Sequence, residues 1–263
     1  MSSTTRFPRM FAALTGGAVL IASVFATISL AQAEDAQTSF DETQTEAIEQ
    51  IVRGYLLEHP EIMLDVFAKL DEKRAADEAL AARAAIEANK EALFNDDYSF
   101  VYGNPDGDIT IVEFFDYKCP YCKKAVDDIM AAVEQDGNVR LVYKEFPILS
   151  EGSTIAAKAA MAAISQNKYM ELHTALMASQ GTLDEARILR IAEDAGLDVE
   201  RLKQDMKDPG LDAAIDRNYE LARILGIEGT PAFVIGNQIV PGAVSTARLL
   251  EVVEEERSSC VSC

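Results

Sequence analysis

Residues 109–115, Ile-Thr-Ile-Val-Glu-Phe-Phe, leave this chain few ways to fold. Apolar side chains fill both parities of the run, so a strand formed here must be covered on both faces and belongs inside a sheet. Turn residues precede it in Asn-Pro-Asp-Gly-Asp, 104–108, after a short candidate strand in Tyr-Ser-Phe-Val-Tyr-Gly, 98–103. A helix is expected over 119–135, and Gly-Asn-Val-Arg-Leu-Val-Tyr-Lys-Glu-Phe, 137–146, reads as the next strand. The result is a β-α-β unit with two cysteines, Cys119 and Cys122, at its turn. Residues 153–225 read as helical, with Gly181, Gly196 and Gly226 where helices should stop. A hairpin is expected from 232–235 and 238–240, turning at Gly236 and Asn237, before a final helix from Ser245 to about Arg257. The fold class is α/β.

The N-terminus reads as an export signal. Arg6 and Arg9 precede an uncharged stretch, 11–30, and Ala31-Gln32-Ala33 supplies the small residues of a cleavage site before Glu34. Thr15, Gly16, Gly17, Ser23, Thr27 and Ser29 dilute the apolar run, which favours a cleaved signal, 1–33, over a retained anchor. Outside the cytoplasm a thiol pair persists as a disulfide unless something keeps it reduced. Four cysteines in 263 residues are too few for a disulfide scaffold, so stability must come from the core. With 44 acidic against 24 basic side chains the formal charge is −20, and no basic face exists to bind nucleic acid.

Between the signal and the β-α-β unit lies a helical module, 34–95. Ile48, Ile51, Val52, Tyr55 and Leu56 recur at helical spacing, as do Ile62, Val66, Phe67 and Leu70, with Pro60 as the break between them. Residues 71–89, rich in Ala, Glu, Lys and Arg, read as an exposed helix with little core of its own. Such helices either pack on the main domain or meet their counterparts in a homo-oligomer, a dimer or trimer; the second is our expectation.

The chemistry centres on Cys119-Pro120-Tyr121-Cys122. Residues i and i+3 of a helix share a face about 5–6 Å apart, within reach of a disulfide after small adjustment. At a helix start the free amides and the dipole stabilise a thiolate on Cys119, Pro120 suits the first turn, and Lys118, Lys123 and Lys124 add positive charge. Cys119 is then the nucleophile and Cys122 the resolving thiol. A c-type haem would need histidine where Lys123 stands. A zinc site would need four ligands, and His59 and His173 are far apart in sequence. A purely structural disulfide closing so short a loop would restrain the unfolded chain little. Glu113 sits inside the doubly covered strand. Either it is a buried acid, raised in pKa and able to exchange protons with the thiols, or it lies at an exposed edge or pairs with Lys144.

Val-Glu-Phe-Phe-Asp-Tyr-Lys-Cys-Pro-Tyr-Cys resembles the active-site strand and turn of the thioredoxin superfamily, with Glu113 where that family has its buried acid. Val-Tyr-Lys-Glu-Phe-Pro-Ile-Leu, Leu-His-Thr-Ala-Leu-Met and Gly-Thr-Pro-Ala-Phe-Val-Ile-Gly resemble the DsbA branch of exported thiol-disulfide oxidoreductases, over about 98–257. Tyr-Leu-Leu-Glu-His-Pro-Glu-Ile-Met-Leu-Asp-Val-Phe-Ala-Lys-Leu, 55–70, resembles the N-terminal helical module of the suppressor-of-copper-sensitivity C group. The resemblance implies a thioredoxin fold, 96–263, with a DsbA-type helical insertion at about 153–225. It implies a redox pair at Cys119 and Cys122, a cis proline at Pro231 facing it, and substrate contacts from Thr230, Pro231, Pro120 and Tyr121. His173 matches no catalytic position and reads as an ordinary helix residue. A Pro-Tyr dipeptide accords more with isomerase-like relatives than with strong oxidases, which more often carry histidine beside the second cysteine.

The expected activity is therefore that of a periplasmic protein-disulfide isomerase or reductase, with no cofactor. Its partners would be cysteine-containing exported proteins and a membrane thiol reductase of the DsbD type. The alternatives are a monomeric DsbA-like oxidase and a copper(I)-binding protein of copper tolerance. Cys260 and Cys263 repeat the spacing of the first pair on a tail without strand or helix start. They stand open between a pair without function, soft copper(I) ligands and a redox exchange partner.

Overall fold

The computed structural model describes residues 40–259; the expected export signal and the Cys260/Cys263 pair lie outside the described residues. The chain divides at Pro60 into two units. The first carries α1 (Glu42–Glu58), opened by a capping box. Asp41 accepts from the Gln44 amide at 2.8 Å, and the Gln44 side chain accepts from the Asp41 amide at 3.1 Å. Ile48, Ile51, Val52 and Tyr55 lie exposed on one face of this helix, which buries none of its residues.

The second unit begins with α2 (Glu61–Ala88) and α3 (Lys90–Phe94) and builds a five-stranded sheet. The strands are β1 (Phe100–Gly103), β2 (Ile109–Phe115), β3 (Val139–Glu145), β4 (Ala232–Ile235) and β5 (Gln238–Pro241), in the order β1-β3-β2-β4-β5. β2 and β3 run parallel, joined through α4 (Pro120–Asp136); the remaining pairings are antiparallel. The central place expected of the 109–115 run is therefore the one β2 occupies, and all but Thr110 of its residues are buried.

Alternation along β2 sorts the two cores. Ile109, Ile111 and Phe115 join the larger cluster with Ile129 and Val133 of α4 and Leu249, Val252 and Val253 of α10 (Thr246–Ser259). Val112 and Phe114 point the other way, onto Leu221 and Ala222 of α9 (Pro209–Ile224) and onto Ile86 and Leu93. Each fully buried side chain of this size contributes about 1.5–3 kcal/mol. Ile86 modifies the sequence expectation: the Ala- and charge-rich helix is exposed along most of its length, yet its last turns seal the lower face of the sheet.

The insertion between β3 and β4 comprises α5 (Glu151–Ala163), α6 (Tyr169–Ala178), α7 (Glu185–Asp194), α8 (Val199–Asp205) and α9. Helix α4 stops at Gly137, whose φ of 71° favours glycine. Helix α10 is fastened to α4 at both ends. Thr246 bonds the Asp128 carboxylate through its amide (2.9 Å) and hydroxyl (2.7 Å), and Arg257 bridges Asp108 and Asp136 at 2.9 Å each.

Lys144 faces the second core, fully buried, where it pairs with Asp96 and donates to the Ala92 carbonyl at 2.7 Å. Asp96 also accepts from the Tyr98 and Ser99 amides, at 3.0 and 2.6 Å. Removing one partner of a buried pair strands the other charge, so Lys144→Met should cost about 3–5 kcal/mol in urea unfolding. Adding Asp96→Asn, which keeps an acceptor for both amides, should recover part of that loss; strictly additive losses would refute the pairing.

Candidate active site

β2 ends at Phe115, and three residues, Asp116 to Lys118, carry the chain to the start of α4. Asp116 folds this turn. Its carbonyl accepts from the Cys119 amide (3.0 Å), and its buried carboxylate accepts from the Lys118 amide (2.6 Å) and from the Leu149 amide (2.9 Å) in the loop after β3. Cys119 is the N-cap of α4, and its sulfur accepts from the Cys122 amide at 3.4 Å, with Pro120 in the first turn. The amides of that turn supply positive potential at the sulfur.

Cys119 and Cys122 are free thiols. Cys119 is 4% exposed and Cys122 fully buried, whereas Tyr121 between them is 60% exposed. The Cys119 thiol donates to the Thr230 carbonyl at 3.1 Å, and the Thr230–Pro231 peptide bond is cis. The structure thus brings together Cys119, Cys122, Pro120, Tyr121, Thr230 and Pro231. A groove of about 320 Å³ runs beside the proline loop, lined by Ile227, Glu228, Thr230, Pro231, Ile239 and Pro241.

Glu113 has the parity of Ile111 and Phe115, so it faces α4. It is buried between Tyr143 of β3 and Phe233 of β4, and its Oε1 has no hydrogen-bond partner. The exposed-edge and Lys144-paired alternatives both fail, because Lys144 lies one residue out of register and points to the opposite core. Burial pushes the Glu113 carboxyl up to about 8. Burial also pushes the Cys122 thiol far up, and the Glu113 charge adds to that rise. Near neutrality an acid holding its proton therefore stands beside a thiol holding its own.

Two of the flanking lysines also bind backbone carbonyls. Lys123 spends its ammonium on the Leu176, Met177 and Ser179 carbonyls at the end of α6, at 3.1, 2.9 and 2.6 Å. Lys118 donates to the Gly181 carbonyl at 2.6 Å. Lys124 lies over the Tyr121 ring, 5.7 Å from its centre. Lys123 thus clamps the end of α6, and Lys118 the loop that follows it.

Sequence reasoning missed Asp116, Tyr117 and Glu145, and read His173 as an ordinary helix residue. The Tyr117 hydroxyl lies 3.1 Å from both Glu145 and the His173 Nδ1, and Tyr169 donates to the same Glu145 oxygen at 2.9 Å. The signal that singled out Glu113 applied equally to Glu145: both are carboxylates inside strands buried on two faces. Among the described residues, no group of three His, Cys, Asp or Glu side chains is placed to hold a metal ion.

Residues 110–254 match the DSBA-like thioredoxin domain, and residues 44–77 the copper resistance protein ScsC N-terminal domain. A thioredoxin-like oxidoreductase from Silicibacter pomeroyi is 49% identical, over 65% of this chain and 98% of its own, with a TM-score of 0.63. Proteus mirabilis ScsC in a transitional conformation is 32% identical over 84% of this chain and 99% of its own, with a TM-score of 0.62. Among curated proteins, a Na(+)/H(+) antiporter NhaA 3 of Salinispora tropica is 31% identical over 54% of this chain. The chain spans 22% of that protein's length.

The folded state keeps the Glu113 proton up to about pH 8, whereas the ordinary value is 4.5. Between those values the unfolded chain has lost a proton the folded one retains, so stability falls as pH rises through the window and this contribution is level above it. Glu113→Gln should remove that fall. Urea midpoints of the reduced wild type should decline more steeply than the variant's between about pH 5 and pH 8, and equal slopes would show that Glu113 does not hold the proton.

Proposed function

The chain belongs to the DSBA-like thioredoxin domain family, and from that premise we propose an exported thiol-disulfide oxidoreductase that isomerises or reduces disulfides in other proteins. The observation that carries the reading is Glu113, buried without a partner behind a cysteine pair whose outer sulfur caps a helix beside a cis-proline loop. A fold can host many functions, so this site, and not the sheet, carries the reading.

In the proposed reaction the Cys119 thiolate attacks one sulfur of a client disulfide. A Cys119–client disulfide forms, the client S–S bond breaks, and the departing client sulfur leaves as a thiolate. That thiolate attacks another client disulfide and frees a second client thiolate, which attacks the client sulfur of the Cys119–client disulfide, so that a new client disulfide forms and Cys119 leaves as a thiolate. In reduction, Glu113 as carboxylate takes the Cys122 proton, and the Cys122 thiolate attacks Cys119. The Cys119–Cys122 disulfide forms, the client thiol leaves, and two electrons have passed to the client. Pro120, Tyr121, Thr230 and Pro231 border the outer sulfur and would contact the client backbone. A membrane thiol reductase of the DsbD type would return the pair to the dithiol form. Residues 1–33 would direct export to the periplasm.

The exposed apolar faces of the N-terminal helices support an oligomer, dimer or trimer, built by the 34–95 module. Ile51 and Tyr55 on α1 and Leu64 and Phe67 on α2 are all more than half exposed. Such faces are characteristic of surfaces that meet a partner. Several sites in one assembly favour reshuffling, because a client held by one site meets a second before it leaves.

A second reading draws on the copper resistance match at 44–77: Cys260 and Cys263 as copper(I) ligands. Copper(I) titration with bathocuproine competition decides it, since unchanged binding in Cys260→Ser/Cys263→Ser removes the tail from that role.

With catalytic amounts of reduced protein, scrambled ribonuclease A should regain activity, and Cys119→Ser should abolish the recovery. Ile51→Glu/Tyr55→Glu should give a monomer by mass measurement in solution, with recovery lost and reduction of a small disulfide kept. A wild-type monomer, or rapid oxidation of reduced ribonuclease without recovery of the scrambled form, would favour the oxidase.

A further inference from the structure

Helix α6 grips the redox turn on both sides. After the cysteines, Lys123 binds three carbonyls at its C-terminal end. Before them, Tyr117 sits in the middle of the turn with its hydroxyl between β3 and α6, near Glu145 Oε1 and His173 Nδ1 at 3.1 Å each. Tyr169, the first residue of α6, donates to the same oxygen. Tyr117, Glu145, Tyr169 and His173 are all buried.

Bond polarity orders this cluster. With both tyrosines donating to Glu145, the Tyr117 oxygen is free to accept from His173 Nδ1–H. The imidazole is then neutral, and its buried Nε2 stands without a partner. Burial lowers His173 to about 3, which agrees with a neutral ring. Burial pushes Glu145 well above the usual carboxylate range; Asp116 and Glu113 add to the rise, and the two tyrosine hydroxyls oppose it. Also packed here are Tyr143, whose ring lies 4.7 Å from that of His173, the rings of Phe115 and Phe100, and Asn218 of α9, which donates to the Glu145 carbonyl. None of Tyr117, Glu145, Tyr169 and His173 enters the proposed thiol chemistry.

We propose that Tyr117 is a positioning residue for Cys119, held through its hydroxyl by Glu145 and His173, so that the inserted helix α6 sets how strongly the pair favours its dithiol form. The turn's contacts belong to the free thiols: the Cys122 amide to the Cys119 sulfur, and that thiol to the Thr230 carbonyl. Releasing Tyr117 slackens both and removes stabilisation from the reduced state.

The inference rests on the oxidoreductase reading, and the test separates the two. The full mature protein is equilibrated with reduced and oxidised glutathione, and the iodoacetamide alkylation rate of Cys119 is followed at fixed pH. Tyr117→Phe, which keeps the ring, should shift the equilibrium roughly fivefold toward the disulfide and slow alkylation by a similar factor, the worth of one hydrogen bond. Glu145→Leu should do the same. Glu145→Gln, whose amide oxygen still accepts both hydroxyls, should stay close to wild type. A wild-type constant in Tyr117→Phe, or a Glu145→Gln shift equal to that of Glu145→Leu, would overturn the proposal. If Glu145→Leu does not fold, Tyr117→Phe decides. A wild-type pair that never equilibrates with glutathione would instead defeat the oxidoreductase reading.

Discussion

A carboxylate inside a strand covered on both faces has no water to spread its charge into, and at Glu113 no cation answers it. The proton therefore stays on up to about pH 8, within reach of physiological conditions, because the sheet that buries the acid is itself well made. The same desolvation lifts Cys122, which lies under the first turn of α4 against that strand. The polarity of this site is thus a by-product of apolar packing: Ile111, Phe115, Ile129 and Phe233 create the medium that makes Glu113 and Cys122 unusual.

The outer sulfur lives by different rules. Cys119 is placed by backbone groups, with the Cys122 amide on one side and the Thr230 carbonyl on the other. Neither contact has a long side chain to adjust it, so the geometry of the Asp116–Lys118 turn decides whether they form. Asp116 ties that turn to the β3–α5 loop, and Lys123 ties the start of α4 to α6. The insertion is no ornament on the five-stranded fold, since it is bonded to both flanks of the cysteine pair.

How much of this was legible in the sequence follows from what each feature depends on. The strand 109–115, the helix start at the cysteines and the hairpin rest on local alternation, capping and turn chemistry, and the structure has them within a residue or so. Glu113 was legible because a charge interrupts a run apolar on both faces. Glu145 carries the same signature but was passed over, and its partners explain part of the reason. Tyr117 and Tyr169 lie 28 and 24 residues from it in sequence, His173 lies 56 residues from its partner Tyr117, and Tyr169 and His173 are brought in on α6. Lys123 was visible as a charge near the thiols, but its partners at the end of α6 were not; a side chain that long reports position poorly until its acceptors are known.

Buried Cys122 also bears on which direction of chemistry the proposed function takes. A resolving thiol whose proton is hard to remove attacks a mixed disulfide slowly, since the thiolate is the nucleophile. Its proton must pass to a base, and Glu113, itself protonated through much of the neutral range, accepts one infrequently. Slow escape prolongs the client's attachment to Cys119, and a client thiolate released beside its own remaining disulfides has time to attack them. In the proposed reaction, reduction would be the route by which a client that fails to rearrange leaves. Under the proposed function, the burial that stabilises the sheet would favour reshuffling over rapid one-way exchange.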